Sequence, residues 1–241
     1  MNVEGRTALV TGASRGLGAA LARALARKEA KVVLVARGEE ELERVARGIT
    51  REGGTAFVVP GDVADKTAIH RIAAVAAAVA GPAALLIHNA STLGRTPLVP
   101  LLDTECEDLA RVLEVNLVGP FRLTRVLAGS MALRGEGLVL HVTSDASVNA
   151  YPNWGAYSVS KAALDHLGRV LAAELAPAGV KVLAVDPGEM RTRMHADAMP
   201  EADPTTLADP EDVAAQIVSI IEHSGSIATG GRLEASTWSG S

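Results

Sequence analysis

Cysteine is nearly absent from this sequence. Cys106 is the only one in 241 residues, so no disulfide can close within the chain. That fits a reducing compartment. Aromatic residues make up only 2%, so the core must be built from Ala, Val, Leu and Ile. The six aromatics are Phe57, Phe121, Tyr151, Trp154, Tyr157 and Trp238, and three of them fall within 151–157. There is no excess of positive charge. Lys and Arg number 23 against 28 Asp and Glu, a net charge of −5 with no dense basic run. A nucleic-acid partner is therefore not expected. No apolar run approaches the roughly 18–20 residues of a membrane span, and Met1–Thr7 lacks the basic region and long apolar segment of a signal peptide. No membrane association and a cytoplasmic location are expected. The six histidines are scattered and no Cys/His cluster has ligand spacing, so no metal site is expected.

What is present is alternation. Short β-branched runs at 6–11, 31–36, 55–60, 84–88, 137–143 and 180–186 read as buried strands, with a weak seventh at 232–235. Between them lie helical patterns at 16–30, from Glu39 to the Gly53-Gly54 stop, and at 65–80, 104–131, 154–176 and 210–222. Strand-then-helix repetition predicts an α/β fold: one Rossmann-like, doubly wound parallel sheet of about seven strands with helices on both faces. All of 1–241 reads as a single dinucleotide-binding and catalytic domain. The stretch 194–209 has little periodicity and is long for a connection, and 189–209 reads as a substrate-binding loop.

The first strand runs into Thr11-Gly12-Ala13-Ser14-Arg15-Gly16-Leu17-Gly18. Glycines at a strand-to-helix turn let backbone approach a pyrophosphate, and the helix N-terminus offers it unpaired N–H groups. The spacing T-G-x-x-x-G-x-G resembles the short-chain dehydrogenase/reductase family. The second strand ends at Arg37, where an acidic residue would favour NAD(H). Arg37 and Arg15 are cations suited to a 2′-phosphate, so NADP(H) is the expected cofactor, with NAD(H) the alternative if Glu39 or Glu40 reaches the ribose.

Tyr157 and Lys161 lie four apart and share a helix face. A nearby ammonium lowers the pKa of a phenol, whose ordinary value is about 10, and makes it a usable proton donor and acceptor. Ser144 follows the fifth strand, at the carboxyl edge where such sheets bind ligands. Asn116 is a polar residue inside an apolar helix. The resemblance assigns Ser144, Tyr157 and Lys161 to the catalytic triad and gives Asn116 a part in a proton relay, through water, to Lys161. It also implies that Asp62-Val63 contacts adenine, and that Asn89, in His88-Asn89-Ala90-Ser91, steadies the sheet and cofactor site. In Pro187-Gly188-Glu189-Met190-Arg191-Thr192, the Met190 backbone and the Thr192 hydroxyl would hold the carboxamide. The resemblance runs from about Arg6 to about Glu222.

Two residues depart from the family's N-N-A-G: His88 replaces the first Asn and Ser91 the Gly. Both are expected to add side chains near the cofactor. The segment 229–241 lacks a clear match. Tyr151 and Trp154 are expected to line the substrate pocket with Ser144 and Tyr157, and Glu189 and His195 to face it or water. A small carbonyl or alcohol is the expected substrate. A ketoacyl-carrier reductase is the alternative, but Leu171-Ala172-Ala173-Glu174 lacks the arginine such relatives carry. A non-catalytic dinucleotide sensor is a third reading, opposed by the intact Asn116, Ser144, Tyr157 and Lys161. The resemblance further implies a homodimer or homotetramer packed through the helices at 104–131 and 154–176.

Overall fold

The structure is a computed structural model and describes residues 1–240. Seven parallel strands form one sheet in the order β3-β2-β1-β4-β5-β6-β7. They are β1 Thr7–Thr11, β2 Lys31–Ala36, β3 Thr55–Pro60, β4 Ala83–His88, β5 Gly137–Val142, β6 Val180–Asp186 and β7 Arg232–Glu234. Strands β1, β4 and β5 are buried along their whole length. That is why they read as continuous apolar runs rather than alternating ones.

The helices are α1 Gly16–Arg27, α2 Glu39–Arg51, α3 Ala68–Ala80, α4 Cys106–Leu113, α5 Gly119–Arg134, α6 Gly155–Leu175, α7 Arg193–Ala198 and α8 Pro210–Glu222. α1, α2 and α8 bury Leu21, Leu25, Leu42, Ile49, Ile217 and Ile221 against one sheet face. α3, α5 and α6 bury Ile69, Ile72, Leu123, Met131 and Ala172 against the other. In α2 only Leu42, Val45 and Ile49 are buried, a stripe at helical spacing under a charged outer face. Each such Leu or Ile stabilises the fold by about 1.5–3 kcal/mol.

Two expectations are corrected. The helix expected over 104–131 is two helices, α4 and α5, joined by a π turn at Glu114–Val118. Gly119 N–H bonds the Glu114 carbonyl, five residues back, and Pro120 has no N–H to give the Asn116 carbonyl. The 189–209 segment is not wholly irregular. It contains α7, capped by the Thr192 hydroxyl, which accepts His195 N–H at 3.3 Å. No helix among the described residues is long and apolar enough to cross a membrane.

Candidate active site

The order reversal between β1 and β4 opens a crevice at their carboxyl ends. Thr11 fastens it. Its hydroxyl donates to the Ile87 carbonyl at 3.2 Å and accepts the N–H groups of Asn89 and Ala90, both at 3.1 Å. Asn89 Nδ2 returns bonds to the Thr11 and Gly12 carbonyls at 3.0 and 3.2 Å. The backbones are so close that a Cβ on Gly12 would lie 2.8 Å from Ala90 Cα, and one on Gly18 would collide with the Gly12 carbonyl. Gly16 differs: a Cβ there would clash with nothing and would only touch the Thr192 side chain, with Cγ2 at 3.5 Å.

The turn thus presents an uncovered backbone cradle, with half-buried Ser14 beside it and buried Leu17 beneath. Arg15 and Arg37 are exposed and form no ion pair among the described residues. Glu40 is paired with Arg44 at 3.7 Å, and Glu41 folds onto Gly38. These features fit a nicotinamide dinucleotide. Asp62 accepts Ala64 N–H at 2.9 Å and faces Arg111 at 3.4 Å, while Val63 is buried. Pro187-Gly188 follows β6, and Asp186 accepts Gly188 N–H at 3.0 Å. Met190 bridges Ala208, which draws the two ends of the 189–209 segment together, and Arg191 binds Asp209 at 2.6 Å.

Ser144 leaves β5, and Tyr157 and Lys161 project from α6. The Ser144 hydroxyl is near enough to the Tyr157 phenol to favour its ionised form, and it donates to Asp145 Oδ1 at 3.0 Å. The Lys161 ammonium lies 5.5 Å from the Tyr157 ring centre and donates to the Val142 carbonyl at 2.7 Å. The electrostatics differ from expectation. Burial raises the phenol above its ordinary value, with Ser144 opposing and Asp186 and Asp145 adding to the rise. Burial brings Lys161 down to about 8 despite the carboxylates of Asp165 and Asp186.

Asn116 sits in the π turn with its amide fully engaged. Oδ1 accepts Thr92 N–H at 2.8 Å, and Nδ2 donates to the Thr92 carbonyl at 2.9 Å and Ser160 Oγ at 3.0 Å. Its side chain therefore meets the neighbour of Lys161 rather than Lys161 itself. Trp154 packs edge-on against Tyr157, centroids 5.8 Å apart. Leu93, Leu98, Ala146, Met194 and Ala198 complete this apolar cluster. Tyr151 is exposed and donates to Asp145 at 2.7 Å. His195 lies 3.8 Å from exposed Glu189.

His88 corrects a further expectation. It is buried against Thr124, at 2.8 Å, and beside His141, away from the cleft. Ser91 has its hydroxyl shielded from solvent with no partner among the described residues. Sequence reasoning did not single out Asp145, Asp165 or Arg232. Arg232, from β7, donates to the Ser144 carbonyl at 3.1 Å and pairs with Asp186 at 2.8 Å and Asp165 at 3.5 Å. Asp165 also accepts the Ser147 hydroxyl at 2.6 Å. Its place at i+4 from Lys161 was a usable signal; nothing in the sequence marked Arg232. No group of three metal-ligating side chains occurs among the described residues.

The profile of the short chain dehydrogenase family matches residues 6–203. A fatty acyl-CoA reductase of Acinetobacter baylyi is 34% identical over 239 residues, 98% of this chain and 80% of the relative. A short chain dehydrogenase of Pseudocercospora fijiensis is 38% identical over 197 residues; the match takes in 80% of this chain and 62% of that longer protein. Among solved structures, a metagenomic short-chain oxidoreductase in complex with NADP has a TM-score of 0.81 at 31% identity, covering 97% of this chain and 99% of that one. NAD+-bound xylitol dehydrogenase has a TM-score of 0.86 at 25% identity, covering 97% and 98%. The chain belongs to the short chain dehydrogenase family, oxidoreductases that act on CH–OH and C=O groups with a nicotinamide dinucleotide.

Proposed function

We propose that this chain is an NADP(H)-dependent carbonyl reductase, in reverse an alcohol dehydrogenase, with Tyr157 as general acid and base. One observation carries the reading. The Tyr157 phenol, with Ser144 beside it, and the buried Lys161 ammonium share one face of α6 near a glycine cradle flanked by two guanidiniums without an ion pair among the described residues.

When bound, the reduced nicotinamide supplies a hydride to the carbonyl carbon. Tyr157 gives its proton to the carbonyl oxygen, and burial keeps that proton on the phenol at neutral pH. Lys161 stabilises the phenolate left behind, and Asn116 holds the Thr92 segment to Ser160. Gly12, Ser14, Gly16, Leu17 and Gly18 seat the pyrophosphate, with Arg15 and Arg37 on the 2′-phosphate. Asp62 and Val63 border the adenine; Asn89 and Ala90 form the floor. Pro187, Gly188, the Met190 backbone and the Thr192 hydroxyl hold the carboxamide. The 189–209 segment closes over the substrate beside Tyr151 and Trp154. The reading includes a homodimer or homotetramer joined through α5 and α6, whose Phe121, Val159 and Val170 are exposed; a monomer in sedimentation would refute that part.

The test is NADPH consumption against aldehydes, ketones, diketones, quinones and acyl thioesters, with NADH in parallel. Turnover of a simple carbonyl, faster with NADPH, is expected. Faster turnover with NADH would overturn the roles of Arg15 and Arg37. Turnover of thioesters alone would favour an acyl-thioester reductase, as the Acinetobacter relative's name suggests. Tight cofactor binding without any turnover would favour a dinucleotide sensor.

A further inference from the structure

Asp145 directly follows Ser144 and has no role in the chemistry described above. Its two carboxylate oxygens are used differently. Oδ2 accepts the Tyr151 phenol at 2.7 Å, and Oδ1 accepts the Ser144 hydroxyl at 3.0 Å. Tyr151 therefore fixes the orientation of the carboxylate, and the free lone pairs of Oδ1 stand beside the hydroxyl that is to hold the substrate oxygen. A serine hydroxyl has one proton to donate. While that proton is on Asp145, it cannot be given to a substrate carbonyl.

We infer that Asp145 is a specificity-determining residue that selects carbonyl substrates bearing a hydroxyl on the adjacent carbon, the α-hydroxy ketones and the vicinal diols they yield. The substrate hydroxyl donates to Asp145 Oδ1 in place of Ser144. The Ser144 proton is thereby freed for the carbonyl oxygen, where Tyr157 delivers its own. A plain ketone brings no donor of its own to Asp145, which is exposed and then keeps the Ser144 proton or takes a water in its place. An anionic group at the same place meets a like charge, with Glu189 acting on Tyr151 from the other side. A neutral hydroxyl also suits the site better than an ammonium, because the oxidised nicotinamide ring is itself positive.

This inference rests on the proposed role of Tyr157, and the experiment separates the two. Reduction rates are measured for matched pairs: 3-hydroxy-2-butanone against 2-butanone, 2-hydroxyacetophenone against acetophenone, and 2-hydroxycyclohexanone against cyclohexanone. Pyruvate is the anionic control. The wild type is expected to favour the hydroxy member in kcat/KM by about tenfold or more, the worth of a charged hydrogen bond. Pyruvate is the poorest substrate. Asp145→Ala reduces the ratio toward one, Asp145→Asn keeps part of it through its amide oxygen, and Tyr151→Phe lowers it by loosening the carboxylate. A wild-type ratio near one, or an Asp145→Ala variant that slows both members equally, overturns the inference and leaves the Tyr157 reading intact. Failure of all three pairs while other carbonyls turn over also overturns it. Retained turnover in Tyr157→Phe would instead sink the reading beneath it.

Discussion

His88 and His141 show how much one buried side chain can decide. The two imidazoles lie on neighbouring strands with ring centres 5.3 Å apart. Burial lowers His88 well below its ordinary value and His141 to about 4. In the unfolded chain both take up a proton near pH 6.5. Between that pH and about 4 the unfolded state binds more protons than the folded one, so stability falls as pH falls through this window. For His141 alone the loss is on the order of 3 kcal/mol across the whole window. Urea midpoints at pH 7.5 and 5 check this: the decline should be visibly shallower in His141→Gln than in the wild type. Equal declines would contradict the assignment. Neither histidine's fate was legible in the sequence. His88 sits in a recognisable motif position, yet its direction is set by the strand pleat and by Thr124 on α5, a partner 36 residues away. Thr11, Asn89 and the three glycines were legible as a set, because a tight turn between parallel strands restricts which residues fit.

At the scale of elements, the first six strands were legible from apolar runs, with boundaries off by a residue at some ends. The helix expected at 104–131 was not, since an apolar stripe survives the one-residue slip of a π turn. The clue was Gly119-Pro120 in mid-pattern, and the consequence is functional, because Asn116 lies in that turn. β7 was legible only weakly, and its importance not at all. Arg232 joins three structural elements, meeting the Ser144 carbonyl, Asp186 at the end of β6 and Asp165 on α6. Both carboxylates are nearly buried, with side chains 7% exposed. Removing the guanidinium strands them, at a cost of roughly 3 kcal/mol, tempered by the partial exposure of Arg232. Arg232→Met should lower Tm by roughly 6–12 °C, with Arg232→Lys in between. A shift in Arg232→Met indistinguishable from zero would show that the two carboxylates find other partners.

For the whole molecule, the sheet order explains why residues from distant segments of the chain converge. The reversal between β1 and β4 leaves the strand ends open, and each βα connection delivers its residues to that edge. α7 then lies across the opening. Between Leu93, Leu98, Trp154 and Tyr157 only about 20 Å³ remains, room for a single water. The sequence identified the 189–209 segment by its length and by the lack of periodicity over 194–209, but not its position, with Met194 and Ala198 packed against the cluster of Leu93, Ala146 and Tyr157.

The most direct test is Tyr157→Phe, measured for NADPH binding and for carbonyl turnover on the same preparation. The ring remains to pack against Trp154, and only the phenolic proton is lost. The account predicts NADPH affinity within about threefold of wild type and turnover reduced by about 10²- to 10⁴-fold, the usual contribution of a positioned proton donor. Turnover close to wild type would contradict the account, because the proton would then come from elsewhere.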